Sequence, residues 1–291
     1  EYSITFLSSL HIYYVRYGTV HTDIYDNEQE GSCTMYNVIR SLSHDLNLGE
    51  HFLRRYKANL KFENSKVNLE IKNQTDSTND DAKESLKKPH NKLSAHLAEQ
   101  QNAGRGRNNR KWVSPFGQNI YLSLGWRSNL TFSNIEGLSL AIGVRVAESL
   151  EELTNEQIKI KWPNDLLINE KKLGGILVET SSDGRDTLEI IIGIGINVFM
   201  RNKDTNEIDQ SWTSLENYKK RTLDRNLVAA KILNNLLALT KDFKTTGFAG
   251  YIQAFENRNA LENKECEVLL DGKVSSAGLV TGINDKGELL I

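Results

Sequence analysis

The chain reads as an α+β protein, a central mixed sheet flanked by helices, with a helical segment before it and a small β module after it. Three observations carry this reading. "TLEIIIGIGINVFM" (187–200) is an almost unbroken apolar run, long enough for a strand buried on both faces and too short to cross a bilayer. Residues 134–153 and 224–246 place apolar side chains at a 3.6-residue period, as helices packed on a sheet do. Before and between them, segments such as "QNIYLSLGW" (118–126) and "KKLGGILVETS" (171–181) have the length and composition of strands.

The 291 residues suffice for about two domains. Net charge is −2, so the molecule is no polycation and any basic stretch is a local device. Cys33 and Cys266 lie far apart and form no disulfide framework, which with the lack of a leader or spanning segment points to a cytoplasmic protein. The sequence starts without Met and stops at "GELLI" inside a strand-like pattern, as a fragment lacking some of its C-terminus would.

Taken in order, "ITFLSSLHIYYVRYGTV" (4–20) is apolar and β-leaning and carries no motif. "VIRSLSHDLNLGEHFLRRYKANL" (38–60) has helical spacing broken at Asn47-Leu48-Gly49, a helix-turn-helix pattern, and "LKFENSKVNLEI" (60–71) alternates about Asn64-Ser65 as a wing hairpin would. Asp76-Ser77-Thr78-Asn79 supplies caps for a helix that "KKPHNK" closes. "LSAHLAEQQ" (93–101) and "IKIKWPNDLLI" (158–168) read as strands, the second turning at Pro163-Asn164-Asp165. "ECEVLLDGKVSSAGLVTGINDKGELLI" (265–291) reads as short antiparallel strands joined by Asp-Gly and Lys-Gly turns, a partial barrel.

Several chemistries lack their motifs. There is no phosphate-binding G-x-x-x-x-G-K-[ST], no His pair at metal-ligand spacing and no Cys-x-x-Cys. Gly193 and Gly195 lack the third glycine of a dinucleotide fingerprint and read as a strand end needing backbone room. "AEQQNAGRGRNNRKW" (98–112) stands out: Arg105, Arg107, Arg110 and Lys111 crowd around Gly104 and Gly106. Glycines let the backbone approach a ligand, and guanidiniums grip a carboxylate or phosphate in two-pronged fashion. Without a ligand such like charges should repel and leave the loop mobile, and Trp112 offers a flat surface for stacking. On spacing alone a solvated basic loop with a core Trp fits equally well. Lys171-Lys172 before Gly174-Gly175 offers a point charge for phosphate, or plain surface charge.

"DSTN" (76–79), "AEQQNAGRGRNNRKWVSPFGQNIYLSL" (98–124), "KWPNDL" (161–166), "KKLGGILVE" (171–179) and "GIGIN" (193–197) stand in the order found in biotin protein ligases, and the chain resembles the bacterial bifunctional type. The resemblance implies a class II synthetase-like catalytic domain over 71–260, a degenerate winged helix-turn-helix over 1–70 and a truncated SH3-like β domain over 261–291. It implies two steps, formation of biotinyl-5′-adenylate from biotin and Mg²⁺-ATP, then transfer to one lysine of a biotin carboxyl carrier protein of acetyl-CoA carboxylase. By the same resemblance Ser77, Thr78, Asn79 and Gln101 contact biotin. Arg105, Gly106, Arg107 and Lys172 hold its carboxylate and the α-phosphate. Arg107, Arg110, Trp112, Asn164, Lys172, Asn197 and Trp212 bind the adenylate. Lys172, Arg107 and Asp165 are the catalytic candidates, Asp165 for Mg²⁺ or for the incoming lysine, and residues 200–212 form a covering loop. Asn109 stands where the family pattern has Gly. A ligand-dependent homodimer and operator DNA are the further partners implied. The alternatives are a lipoate or octanoate ligase on the same fold, and a DNA-binding repressor as the main role.

Overall fold

The computed structural model describes the backbone of residues 3–8 and 11–16. From Val67 to Ile291 it describes all but residues 89, 155, 183–186, 202–207, 209, 220–222 and 271–272. The helix-turn-helix pattern of residues 38–60 lies outside the described residues. The chain divides into two units, Glu1–Asn47 and Leu48–Ile291. In the first, β1 (Ser3–Ser8) and β2 (His11–Arg16) form an antiparallel hairpin, in line with the β-leaning composition there.

The second unit is built on a seven-stranded mixed sheet. Its strands are β3 (Asn68–Lys72), β4 (Leu93–Ala98), β5 (Ile120–Ser128), β6 (Lys159–Lys161), β7 (Asp165–Ile168), β8 (Lys171–Ser182) and β9 (Leu188–Ile196), in the order β3-β4-β5-β9-β8-β7-β6. Only the β3–β4 pair is parallel. Asn68–Lys72 corrects the wing reading: it is the edge strand of this sheet, with Leu69 and Ile71 packed on the core. Alternation reports one buried face, and a wing strand and an edge strand share it.

β9 sits at the centre, as its apolar run requires. Ile190, Ile192, Ile194 and Ile196 point into the main core with α2 (Leu138–Glu151) and α3 (Arg225–Thr246). Ile191 points the other way, against Ala82 and Leu86 of α1 (Thr78–Leu86). Side chains alternate across a strand, so Gly193 and Gly195 share the α1 face with Ile191. Antiparallel pairing adds Gly175, Leu177 and Glu179 of β8, and Tyr121, Ser123 and Gly125 of β5, to that face. The sheet therefore has one face filled by long helices and one carrying small and polar side chains beside a single short helix.

Asp80 and Asp81 lie in the first turn of α1, where the helix dipole favours negative charge. α3 begins at Asp224, whose carboxylate accepts the Asn226 N–H at 2.9 Å. The short α4 (Ile252–Glu256) leads to the tail, where β10 (Glu265–Leu270) pairs with β11 (Lys273–Leu279), and β12 (Gly282–Ile283) with β13 (Leu289–Leu290). The tail is tied to the sheet by the Trp162 indole N–H, which donates to Gly287 O at 2.9 Å.

Candidate functional site

The site is built on the α1 face of the sheet, from two clusters that meet over the β9 glycines. The first gathers at the N-terminus of α1. Ser77, Thr78 and Asn79 are almost wholly buried, and the Ser77 side chain makes no capping bond. Gln101 Oε1 accepts from Thr78 N at 2.9 Å and from Thr78 Oγ1 at 3.1 Å. The Ser123 hydroxyl lies 2.7 Å from Thr78 Oγ1 and 2.6 Å from Asn79 Oδ1. The Asn79 amide donates to Glu179 Oε2 at 2.6 Å. Thr78, Asn79, Gln101, Ser123 and Glu179 are thus held in one orientation by one another, as recognition of a rigid polar ring requires.

The second cluster begins with the arginine loop. Gly106 N–H donates to Arg110 O at 2.7 Å and Trp112 N–H to Gly104 O at 2.9 Å, which makes the loop a small hairpin. A Cβ on Gly104 would come within 2.9 Å of Trp112 O, so the close approach needs glycine. Asn108 and Asn109 form the tip with φ of 53° and 55°. Asparagine tolerates this left-handed region better than most residues do. Arg105 is engaged by Asp80 through two bonds of 2.7 and 2.8 Å, while Arg107, Arg110 and Lys111 are exposed. Arg107 and Arg110 have no side-chain partner among the described residues.

Trp112 lays its ring on the glycine floor. A Cβ on Gly195 would sit 2.5 Å from the indole and one on Gly175 3.3 Å, so the room that the glycine pattern implied is room for this ring. Gly193, two residues away and about 7 Å along the strand, makes the same allowance for Asn79, at 2.3 Å. Lys172 Nζ stands 5.6 Å from the centre of the Trp112 ring and 2.9 Å from Asp165 Oδ1. That pair is only 16% and 24% exposed, so Lys172 is a positioned charge, while Lys171 beside it is plain surface.

Three expected adenylate contacts serve the scaffold in this structure. The Asn164 amide donates to Ile176 O at 2.7 Å and ties the Pro163-Asn164-Asp165 turn to β8. The Asn197 amide donates to Thr213 O at 3.1 Å, and Trp212 lies on a strip that bonds both backbone groups of Lys172. Of the covering loop 200–212, residues 202–207 and 209 lie outside the described residues. Among the described residues no group of three His, Cys, Asp or Glu side chains could hold a metal ion, and no helix is long and apolar enough to cross a membrane. Sequence reasoning missed Ser123, Glu179 and Asp80. Ser123 had one signal, a polar residue inside an otherwise apolar strand.

The family model for "Biotin/lipoate A/B protein ligase family" matches residues 71–197. The chain is 40% identical over 197 residues to the bifunctional ligase/repressor BirA of Escherichia coli, covering 68% of this chain and 61% of that protein. It is 30% identical over 199 residues to the biotin–[acetyl-CoA-carboxylase] ligase of Mycobacterium tuberculosis, covering 67% of this chain and 71% of that one. The chain belongs to the biotin/lipoate protein ligase family. The solved biotin protein ligase of Aquifex aeolicus, in complex with biotin and ATP, superposes with a TM-score of 0.66 at 35% identity, over 77% of this chain and 91% of that one. The fold class expected from the sequence, a mixed sheet with flanking helices, is therefore also that of solved members of the family. This family member spans 61% of the length of the Escherichia coli relative.

Proposed function

We propose that this protein activates biotin with Mg²⁺-ATP and transfers the biotinyl group to a lysine of a biotin carboxyl carrier protein. The observation that carries the reading is the joint placement of Lys172 and Trp112 beside the α1 polar cluster, across two glycines of one strand. One end holds fixed hydroxyl and amide groups for a ureido ring, and the other offers cations and an aromatic face for an adenylate.

In the first step the biotin carboxylate oxygen attacks the α-phosphate of ATP and pyrophosphate leaves. Lys172, Arg107 and Arg110 stabilise the charge that builds on the phosphate oxygens, where fixed donors are worth most. In the second step the ε-amine of the carrier lysine attacks the acyl carbon, a proton is lost and AMP leaves. Asp165 is placed by Lys172 at the phosphate end, as the group to receive the incoming amine. Asp165, paired with Lys172 at 2.9 Å, is the one carboxylate of this cluster that would face a nucleotide-bound Mg²⁺, and the ion would supply screening of the triphosphate charge. Asn164, Asn197 and Trp212 act by holding the Lys172 strip in place. A cytoplasmic setting fits Cys266, which stands free.

ATP–pyrophosphate exchange tests the reading. Exchange should depend on biotin, and lipoate or octanoate should not replace it; exchange driven by lipoate alone would point to the other branch of the family. A second reading, operator binding by a ligand-dependent homodimer, is favoured by the likeness to the ligase/repressor of Escherichia coli and by the basic run Arg54–Lys66. It predicts salt-dependent DNA binding that removal of residues 1–66 abolishes.

A further inference from the structure

Arg105 has a second carboxylate in reach besides Asp80. Glu179 Oε1 lies 4.0 Å from Arg105 Nη2, while Glu179 Oε2 takes the Asn79 amide at 2.6 Å. Asp80 follows Asn79 directly in α1, so one carboxylate from the helix and one from β8 flank the same guanidinium. We infer that Asp80 is a positioning residue that latches the 104–112 hairpin against α1 through Arg105, and that Glu179 couples this latch to Asn79 in the proposed biotin-head cluster. The pairing is two-pronged, which fixes the plane of the guanidinium as well as its distance. Its mutual effect on charge is in line: the Arg105 hydrogen bond holds the Asp80 carboxyl below the usual carboxylate range, and Asp80 raises Arg105 in turn.

Backbone bonds anchor the base of the loop, Ala103 N–H to Asp76 O at 2.9 Å, and Trp112 packs on the glycine floor; the Asp80–Arg105 pair adds a side-chain hold beyond that base, inside the hairpin itself. With Arg105 held, Arg107 and Arg110 are the guanidiniums left to meet an anionic ligand, and the loop reaches that ligand already closed. The inference deepens the ligase reading by naming what keeps the adenylate covered, but its geometric part stands apart from any activity.

Trypsin supplies a direct readout, because the loop contains four of its cleavage sites, Arg105, Arg107, Arg110 and Lys111. In Asp80→Asn, cleavage after Arg105 should rise about fivefold, the scale of one well-formed partly exposed ion pair. Asp80→Glu should restore most of the protection. Asp81→Asn removes an equal charge from the same helix turn but pairs with Lys72 at 2.8 Å, so it should leave loop cleavage unchanged. Equal cleavage in wild type and Asp80→Asn, or an equal rise in Asp81→Asn, would overturn the latch. If wild type also makes biotinyl-adenylate, Asp80→Asn should label bystander lysines faster, and Asp80→Glu should bring that labelling back toward wild type. A wild type that makes no adenylate would sink the ligase reading and leave the proteolysis result to decide the latch.

Discussion

Replacing Lys172 with alanine removes the charged side chain that lies between Asp165 and the Trp112 ring in the proposed adenylation site. Its Nζ is 2.9 Å from Asp165 Oδ1 and 5.6 Å from the Trp112 ring centre, and the side chain is 16% exposed. Lost stabilisation of charge on the phosphate should cost about 2–4 kcal/mol in the transition state, roughly 30- to 1,000-fold in rate. The structural cost is separate and smaller. An ion pair with this much solvent contact contributes on the order of 1 kcal/mol, or about 2–4 °C in melting temperature for a chain of this size. Biotin-dependent ATP–pyrophosphate exchange reads the first effect and thermal unfolding the second. The loss should fall on kcat; a rise in biotin KM alone would mean that Lys172 binds biotin without stabilising the transition state. Exchange within threefold of wild type would refute its assigned role. Asp165→Asn should slow exchange less than tenfold if the carboxylate mainly receives the incoming amine, and should slow transfer to the carrier more.

Arg107→Gly removes an exposed guanidinium from the loop tip and should let activated biotin escape, read as labelling of added albumin; a variant that keeps its intermediate would count against the loop as a cover. Gly195→Ala puts a methyl 2.5 Å from the Trp112 indole and should displace the ring, changing tryptophan fluorescence and weakening biotin binding at least tenfold by calorimetry; unchanged fluorescence would argue that the floor is loose. His96 is 2% exposed behind α1, and burial holds its imidazole below the usual value while Glu70 opposes this. The unfolded chain therefore binds the proton more readily, so this contribution to stability is intact above about pH 6.5 and lost as pH falls toward the lower folded value. His96→Gln should flatten the fall in melting temperature between about pH 6.5 and 5; an identical fall in both proteins would assign it to other groups.

The parts of the fold that were legible in the sequence are those whose pattern has one physical cause. The β9 run can be buried on both faces only at the sheet centre, and the two long helices declare their period over many turns. The edge strand Asn68–Lys72 was misread because alternation cannot tell which sheet receives it. Within the site, Thr78, Gln101, Trp112 and Lys172 came from local motifs, and the structure pairs Thr78 with Gln101 and sets Lys172 beside the Trp112 ring. Asp80 and Glu179 did not, because their value lies in pairings across 25 and 100 residues, which no local spacing displays. The loop tip shows the reverse: Asn109 looked like a departure from the family pattern, yet its φ of 55° is one asparagine can adopt. The amides of Asn164 and Asn197 are taken by backbone carbonyls, a use that sequence cannot separate from ligand contact.

The most direct test of the central claim is intact mass spectrometry of a biotin carboxyl carrier domain incubated with this protein, Mg²⁺-ATP and a mixture of biotin, lipoate and octanoate. The account predicts a single biotinyl group on one lysine, formed only when ATP is present. An unmodified carrier, or one carrying lipoyl or octanoyl in place of biotinyl, would contradict it.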